Sequence, residues 1–286
     1  MKKKKKFSIG TFFFRLSCVF TAIVVTVALV MTVLLAVEWK TEDAARYVPD
    51  YEKIDLTELL EKDVWTDEDY ETLYYQTGLA REPLDELKTQ PSRILNFQDA
   101  FFYEGKIVHI LAAPTTPHEV LLGRLAPFAP LKDGDVIVTS TCHTYGWRNG
   151  HAAIVANAKT ESILQSVAPG RLSHTESMAW FQSATNFIIL RMKDLTEEER
   201  TQIGSSALEH LNGIPYSLTV GIFSKKDQGF TPEATHCSHL VWQAYKNFGY
   251  DIDSDGGPVV TSNDIANCPL FEVVQVYGFH PDQLWK

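Results

Sequence analysis

His236-Cys237-Ser238-His239-Leu240-Val241-Trp242-Gln243-Ala244-Tyr245 combines a helical pattern with a cysteine between two histidines. Leu240, Val241, Ala244, Tyr245 and Phe248 recur at helical spacing, which predicts a helix from near Thr235 to about Asn247 with that stripe buried. Cys237 stands at its head, three and four residues before Leu240 and Val241, and so shares the inward face. There the positive end of the helix dipole and the unpaired backbone N–H groups favour a thiolate. Such a cysteine, with a histidine on a neighbouring strand, makes a nucleophile and its base. A cysteine that is merely buried or disulfide-bonded would look the same at this position.

Working outward, Leu131-Lys132-Asp133-Gly134 reads as a turn and Asp135-Val136-Ile137-Val138-Thr139 as a strand. A polar loop from Ser140 to Gly150 leads to a second strand, His151-Ala152-Ala153-Ile154-Val155-Ala156. Ser162 to Val167 and Phe187 to Met192 are a third and a fourth. Thr196 with Glu199 makes a capping box that opens a helix running towards His210. On the other side, Asp251 to Gly257 alternates acids like a calcium loop, but Ser262 stands where the bidentate glutamate belongs. That segment reads as a solvated turn.

These residues bring a family into view. Gly213-Ile214-Pro215-Tyr216, a loop, then Cys237-Ser238 opening a helix that ends before Gly249 resembles the NlpC-type cell-wall peptidases. In that family the catalytic histidine follows the cysteine. Here Gly150-His151-Ala152-Ala153-Ile154-Val155 precedes it, an order similar to the circularly permuted, papain-like branch represented by YiiX-type proteins. Gly134-Asp135-Val136-Ile137 and Val260-Thr261-Ser262-Asn263-Asp264-Ile265 add to the resemblance, which covers roughly residues 131–278 and extends to Gln76-Thr77-Gly78-Leu79.

The resemblance implies an α+β fold, with an antiparallel sheet packed on the helix that carries the cysteine. It implies that Cys237 attacks a carbonyl carbon while His151 takes the proton and later returns it to the leaving group. A third group should orient the imidazole. Relatives carry a glutamate on the strand after the histidine; Gln165 is the matching position, so the charge is missing there. Tyr216 would present its hydroxyl to the substrate, or serve as a core aromatic after a proline turn. The expected function is a cysteine hydrolase cutting amide bonds, with cell-wall peptides as substrate. Two alternatives stand beside it. Cys237-Ser238-His239 is also similar to the Asn-Cys-Glu-His element of the lecithin:retinol acyltransferase group, which points to acyl or lipid chemistry. The substitution at Gln165 admits a non-catalytic binding module.

Cys142, His143, His236 and His239 could be read as metal ligands, but their spacing matches no zinc motif and no cofactor is expected. Hydrogen-bonding or solvated loop histidines fit them better. Cys142, Cys237 and Cys268 are three in number, so one disulfide would leave one free thiol.

Charge divides the chain. Residues 1–40 carry Lys2 to Lys6, Arg15 and Lys40 against Glu38 alone, a net of +6, so the remainder of this −10 chain carries −16. That excess of acid argues against nucleic-acid binding. Leu16 to Val37 is a run of 22 residues without a charge, reaching roughly 33 Å as a helix, enough for a hydrocarbon core. The run is longer than a signal-peptide core and has a poor cleavage site, which favours an anchor. Lys2 to Lys6 should stay cytoplasmic, placing the remainder outside the cell membrane. Cys18 lies within this run, as an inert hydrophobe or an acylation site. The expected organisation is a basic tail over 1–15, a transmembrane helix over 16–37, a helical extension and linker over 38–130, and the papain-like domain over 131–286. Within the extension, Thr66 should cap a short helix, and the four prolines between Ala112 and Pro130 should make a connection rather than a strand. Whether the extension is a stalk or a packed lid is open at this level.

Overall fold

The hydrophobic runs read as strands lie side by side in one antiparallel sheet. The structure is a computed structural model that describes residues 9–41, 46–110, 119–142 and 149–285. The chain divides into two compact units, Met1–Glu42 and Asp43–Lys286. The first is a single helix, α1 (Ile9–Thr41), whose stretch Phe12–Leu34 is long and apolar enough to cross a membrane. Its described side chains are almost all exposed.

The second unit opens with four short helices, α2 (Thr57–Leu60), α3 (Asp67–Thr77), α4 (Arg81–Leu87) and α5 (Pro91–Phe101). Thr66 caps α3 with a reciprocal capping box to Asp69, and Gly78 ends it in the left-handed conformation. A separate antiparallel pair follows, β1 (Ile107–His109) and β2 (Glu119–Leu121). β2 corrects the expectation of a strandless connection: it occupies the proline-free interval between Pro117 and Pro127.

The main sheet contains β3 (Val136–Thr139), β4 (His151–Asn157), β5 (Ser162–Gln165), β6 (His174–Ser177), β7 (Phe187–Met192) and β8 (Phe271–Tyr277). Their order is β6-β5-β4-β3-β7-β8. Between β7 and β8 come α6 (Glu197–His210), α7 (Cys237–Lys246) and α8 (Ser262–Ala266). The capping box of Thr196 and Glu199 is present at the head of α6.

Alternation along the strands sends side chains into two cores. Val136, Val138, Ala152, Ile154, Ile188 and Leu190 pack under α6 and α7 with Leu240, Val241 and Tyr245. Ile137, Ala153, Val155, Phe187 and Ile189 pack against α3 to α5 through Leu73, Leu84, Ile94 and Phe97. The helices after the apolar segment are therefore a packed layer over the second face of the sheet. A guanidinium ties the layers together: Arg191 of β7, 1% exposed, donates from Nε and Nη2 to Asp135 at 2.9 and 2.6 Å, and from Nη1 to Glu82 of α4.

The expectation of an α+β fold, with an antiparallel sheet packed on the cysteine helix, holds. The buried stripe of α7 needs correcting. Every residue from Cys237 to Tyr245 is buried, whereas Phe248 lies beyond the helix end and is 36% exposed. The helix is buried all round because the segments on both sides of it in sequence fold over its polar face. Trp242 Nε1 donates to Asp251 at 2.8 Å, and the Gln228 amide donates to Gln243 Oε1 at 3.1 Å.

Candidate active site

α7 starts where it does because His236 caps it: the residue is extended, and its Nδ1 accepts from the His239 amide at 3.4 Å. Tyr216 and Thr235 form a parallel bridge, with the Thr235 amide donating to Pro215 O at 2.9 Å and the Ser217 amide to Thr235 O at 2.8 Å. The Gly-x-Pro-Tyr element is thus clamped onto the residues just before Cys237, and Tyr216 sits half-buried beside the helix entry.

Cys237 is 3% exposed. Burial pushes its thiol up, but the neighbouring His236 imidazole and the backbone N–H groups of Ala152 and Ser238 more than offset this, so the thiol lies below the usual range. The Ala152 amide belongs to the peptide bond that follows His151. The thiol therefore abuts the start of β4, next to the proposed base.

Gly150 precedes His151 with φ +67°, and a Cβ there would fall 2.1 Å from the Trp285 ring and 2.7 Å from Thr139 O. Only glycine fits this turn into the strand. His151 is fully buried, and its Nε2 lies 2.8 Å from Gln165 Oε1. Its ring centroid is 5.3 Å from that of Trp180 and 6.0 Å from that of Phe181, against which it stacks. Desolvation lowers its pKa to about 4, with Gln165 and Glu176 opposing the shift, so the imidazole is neutral at pH 7 and able to accept a proton.

The structure brings His151 and Gln165 into direct contact and brings Cys237 to the peptide beside them. No hydrogen bond joins the Cys237 and His151 side chains among the described residues, and His151 Nδ1 is buried without a partner. The reason lies in the pleat. His151 shares the face of Ala153 and Val155, while the Ala152 side of β4 packs under α7.

Three groups at the site carried no sequence signal. Glu176 accepts a 2.6 Å bond from Gln165 Nε2, and Trp180 and Phe181 cover the imidazole. They come from β6 and the 3-10 turn Met178–Ser183 that follows it. His174-Thr175-Glu176-Ser177 is a polar edge strand with no apolar alternation, so periodicity passes over it. His236 is the fourth addition. It is buried as a cap against the thiol, where a loop histidine was expected.

His239 is also buried, and both its ring nitrogens are engaged: Nε2 donates to Lys226 O at 2.8 Å, and Nδ1 lies 2.9 Å from Thr235 Oγ1. His143 falls outside the described residues. No disulfide joins Cys142, Cys237 or Cys268 among the described residues. The turn expected to be solvated is partly buried instead. Asp253, Asp255 and Asp264 gather their oxygens within 4.8 Å, but Lys226 pairs with Asp253, and Asp264 caps α8 through Thr261. These two carboxylates are spent on structure.

No protein-family model matches the chain, and no curated protein matches it. Among solved structures it is similar to the crystal structure of metalloprotein yiiX from Escherichia coli O157:H7, DUF1105, with a TM-score of 0.41 and 15% identity over 51% of this chain and 98% of that one.

Proposed function

We propose that this protein is a membrane-anchored cysteine hydrolase of the permuted, papain-like type that cleaves amide bonds outside the cell membrane, with cell-wall peptides as its substrate class. The observation that carries the reading is the position of Cys237. Its thiol is drawn towards the thiolate at the head of a buried helix, against the peptide that follows His151. In the reaction, His151 takes the thiol proton and the Cys237 sulfur bonds to the carbonyl carbon. The imidazolium returns the proton to the departing amine, and water then hydrolyses the thioester. The Cys237 N–H, in the first turn of α7 where amides lack intrahelical partners, meets the oxyanion. Proton transfer to Nδ1 requires the His151 ring to turn towards the sulfur when substrate binds, because the pleat sets ring and helix on opposite faces of β4. The α1 helix serves as the anchor, with the second unit on the outer side.

An acyl or lipid substrate is the second reading. It is favoured by the loop between Tyr216 and α7, which exposes Leu218, Ile222, Phe223 and Phe230, with Phe223 86% exposed. One experiment separates the readings: full-length protein and its Cys237→Ala variant, in detergent, are incubated with muropeptides and with acyl-ester lipids. The expected outcome is cleavage of muropeptides by the wild type and a loss of at least about 10³-fold in the variant. Lipid turnover instead selects the second reading, and equal turnover by both proteins rejects Cys237 as the nucleophile.

A further inference from the structure

β5 and β6 pair antiparallel with Gln165 opposite His174 and Ile163 opposite Glu176. Gln165 and Glu176 are thus diagonal neighbours on one face, within reach of each other. An ionised carboxylate has no hydrogen to donate, so the side-chain amide must turn its NH2 group towards Glu176, and it does so at 2.6 Å. That choice aims the Gln165 carbonyl oxygen at His151, 2.8 Å from Nε2. A carbonyl oxygen only accepts, so the ring proton of the neutral imidazole belongs on Nε2. Nδ1, buried and without a partner among the described residues, is then the bare, basic nitrogen. Trp180 and Phe181 lie against the ring and shield this contact.

We propose that Glu176 is a positioning residue that, through the Gln165 amide, selects the Nε2–H tautomer of His151 and leaves Nδ1 free to take a proton. The missing carboxylate at position 165 is thereby supplied one residue further out. Among the described residues, Glu176 faces Gln165, and His174 Nε2 lies 3.5 Å from Glu176 Oε2 on the same strand. The assignment of Nδ1 as a catalytic base rests on the hydrolase reading, but the tautomer does not.

The test uses full-length, 15N-histidine-labelled protein in detergent, with His151→Gln to assign the signal. Long-range proton–nitrogen spectra should show His151 wholly as the Nε2–H form in the wild type. Glu176→Gln should keep that form, because its carbonyl oxygen still accepts from Gln165. Glu176→Ala should release the amide and give mixed tautomers, with muropeptide turnover at pH 7 slowed about tenfold, a fraction of what positioned proton transfer contributes. Glu176 stands on an edge strand with its side chain 49% exposed, so both Glu176 variants should fold, as their thermal transitions will report. An unchanged Nε2–H form in Glu176→Ala overturns the proposal. Mixed tautomers with unchanged turnover uphold Glu176 while counting against His151 as the base in the hydrolase reading.

Discussion

At the scale of single residues, Cys237 and Cys268 differ in chemistry because their surroundings differ. The Cys237 thiol is lowered by His236 and two backbone N–H groups in spite of burial, whereas burial pushes the Cys268 thiol up. A thiolate is the alkylating nucleophile, so Cys237 should react with iodoacetamide from lower pH than Cys268. Mass mapping of brief labelling at pH 6–7 checks this, and prior modification of Cys268 or Cys142 would count against it. His236→Ala should move the alkylation midpoint of Cys237 to higher pH, because the first group that offsets burial is then gone. The pairing of His151 with Gln165 was legible from a family resemblance, since both sit in strands with strong apolar signals. His236 was not. A histidine before a cysteine looks the same in sequence whether it waits in a loop or caps a helix.

At the scale of elements, the clear strands and helices were those with a pure period and a capping motif. β3, β4, β7, α3 and α6 fall where alternation, apolar runs and the Thr66 and Thr196 boxes put them. β6 escaped because an edge strand facing solvent needs no apolar side chains, and its place is set by pairing with β5. The turn into β4 belongs to this scale as well. Gly150→Ala would force a Cβ into Trp285 at a left-handed position, so it should cost more than the roughly 1–2 kcal/mol of that conformation alone. The thermal transition should fall, and the environment of His151 should change with it. A variant as stable as the wild type would show that the C-terminal Trp285 does not brace the turn.

At the scale of the whole molecule, the second unit is held by two cores on opposite faces of one sheet and by a buried ion pair that spans them. Burial opposes the charge on Arg191, but Asp135 and Glu82 more than compensate, and the guanidinium stays ionised. Asp135 is fully buried, so removing its partner strands a carboxylate. Arg191→Met should therefore cost about 3–5 kcal/mol in denaturant unfolding, while the double replacement of Arg191 and Asp135 by apolar residues should recover much of it. If the single variant costs less than about 1 kcal/mol, the pair is not what couples α4 to the sheet.

The sequence alone determined what depends on short-range pattern: the apolar N-terminal helix, the α+β alternation, and Cys237 at the head of a helix with His151 opening a strand. Each rests on a period, a cap or a charge count that neighbours along the chain decide. The helical cover on the second face of the sheet, the partial burial of the acidic turn after α7, and the place of Glu176 behind Gln165 come from packing. Those contacts join residues distant in the chain or in an unsignalled strand. Their partners are chosen by register and packing, which no local pattern encodes.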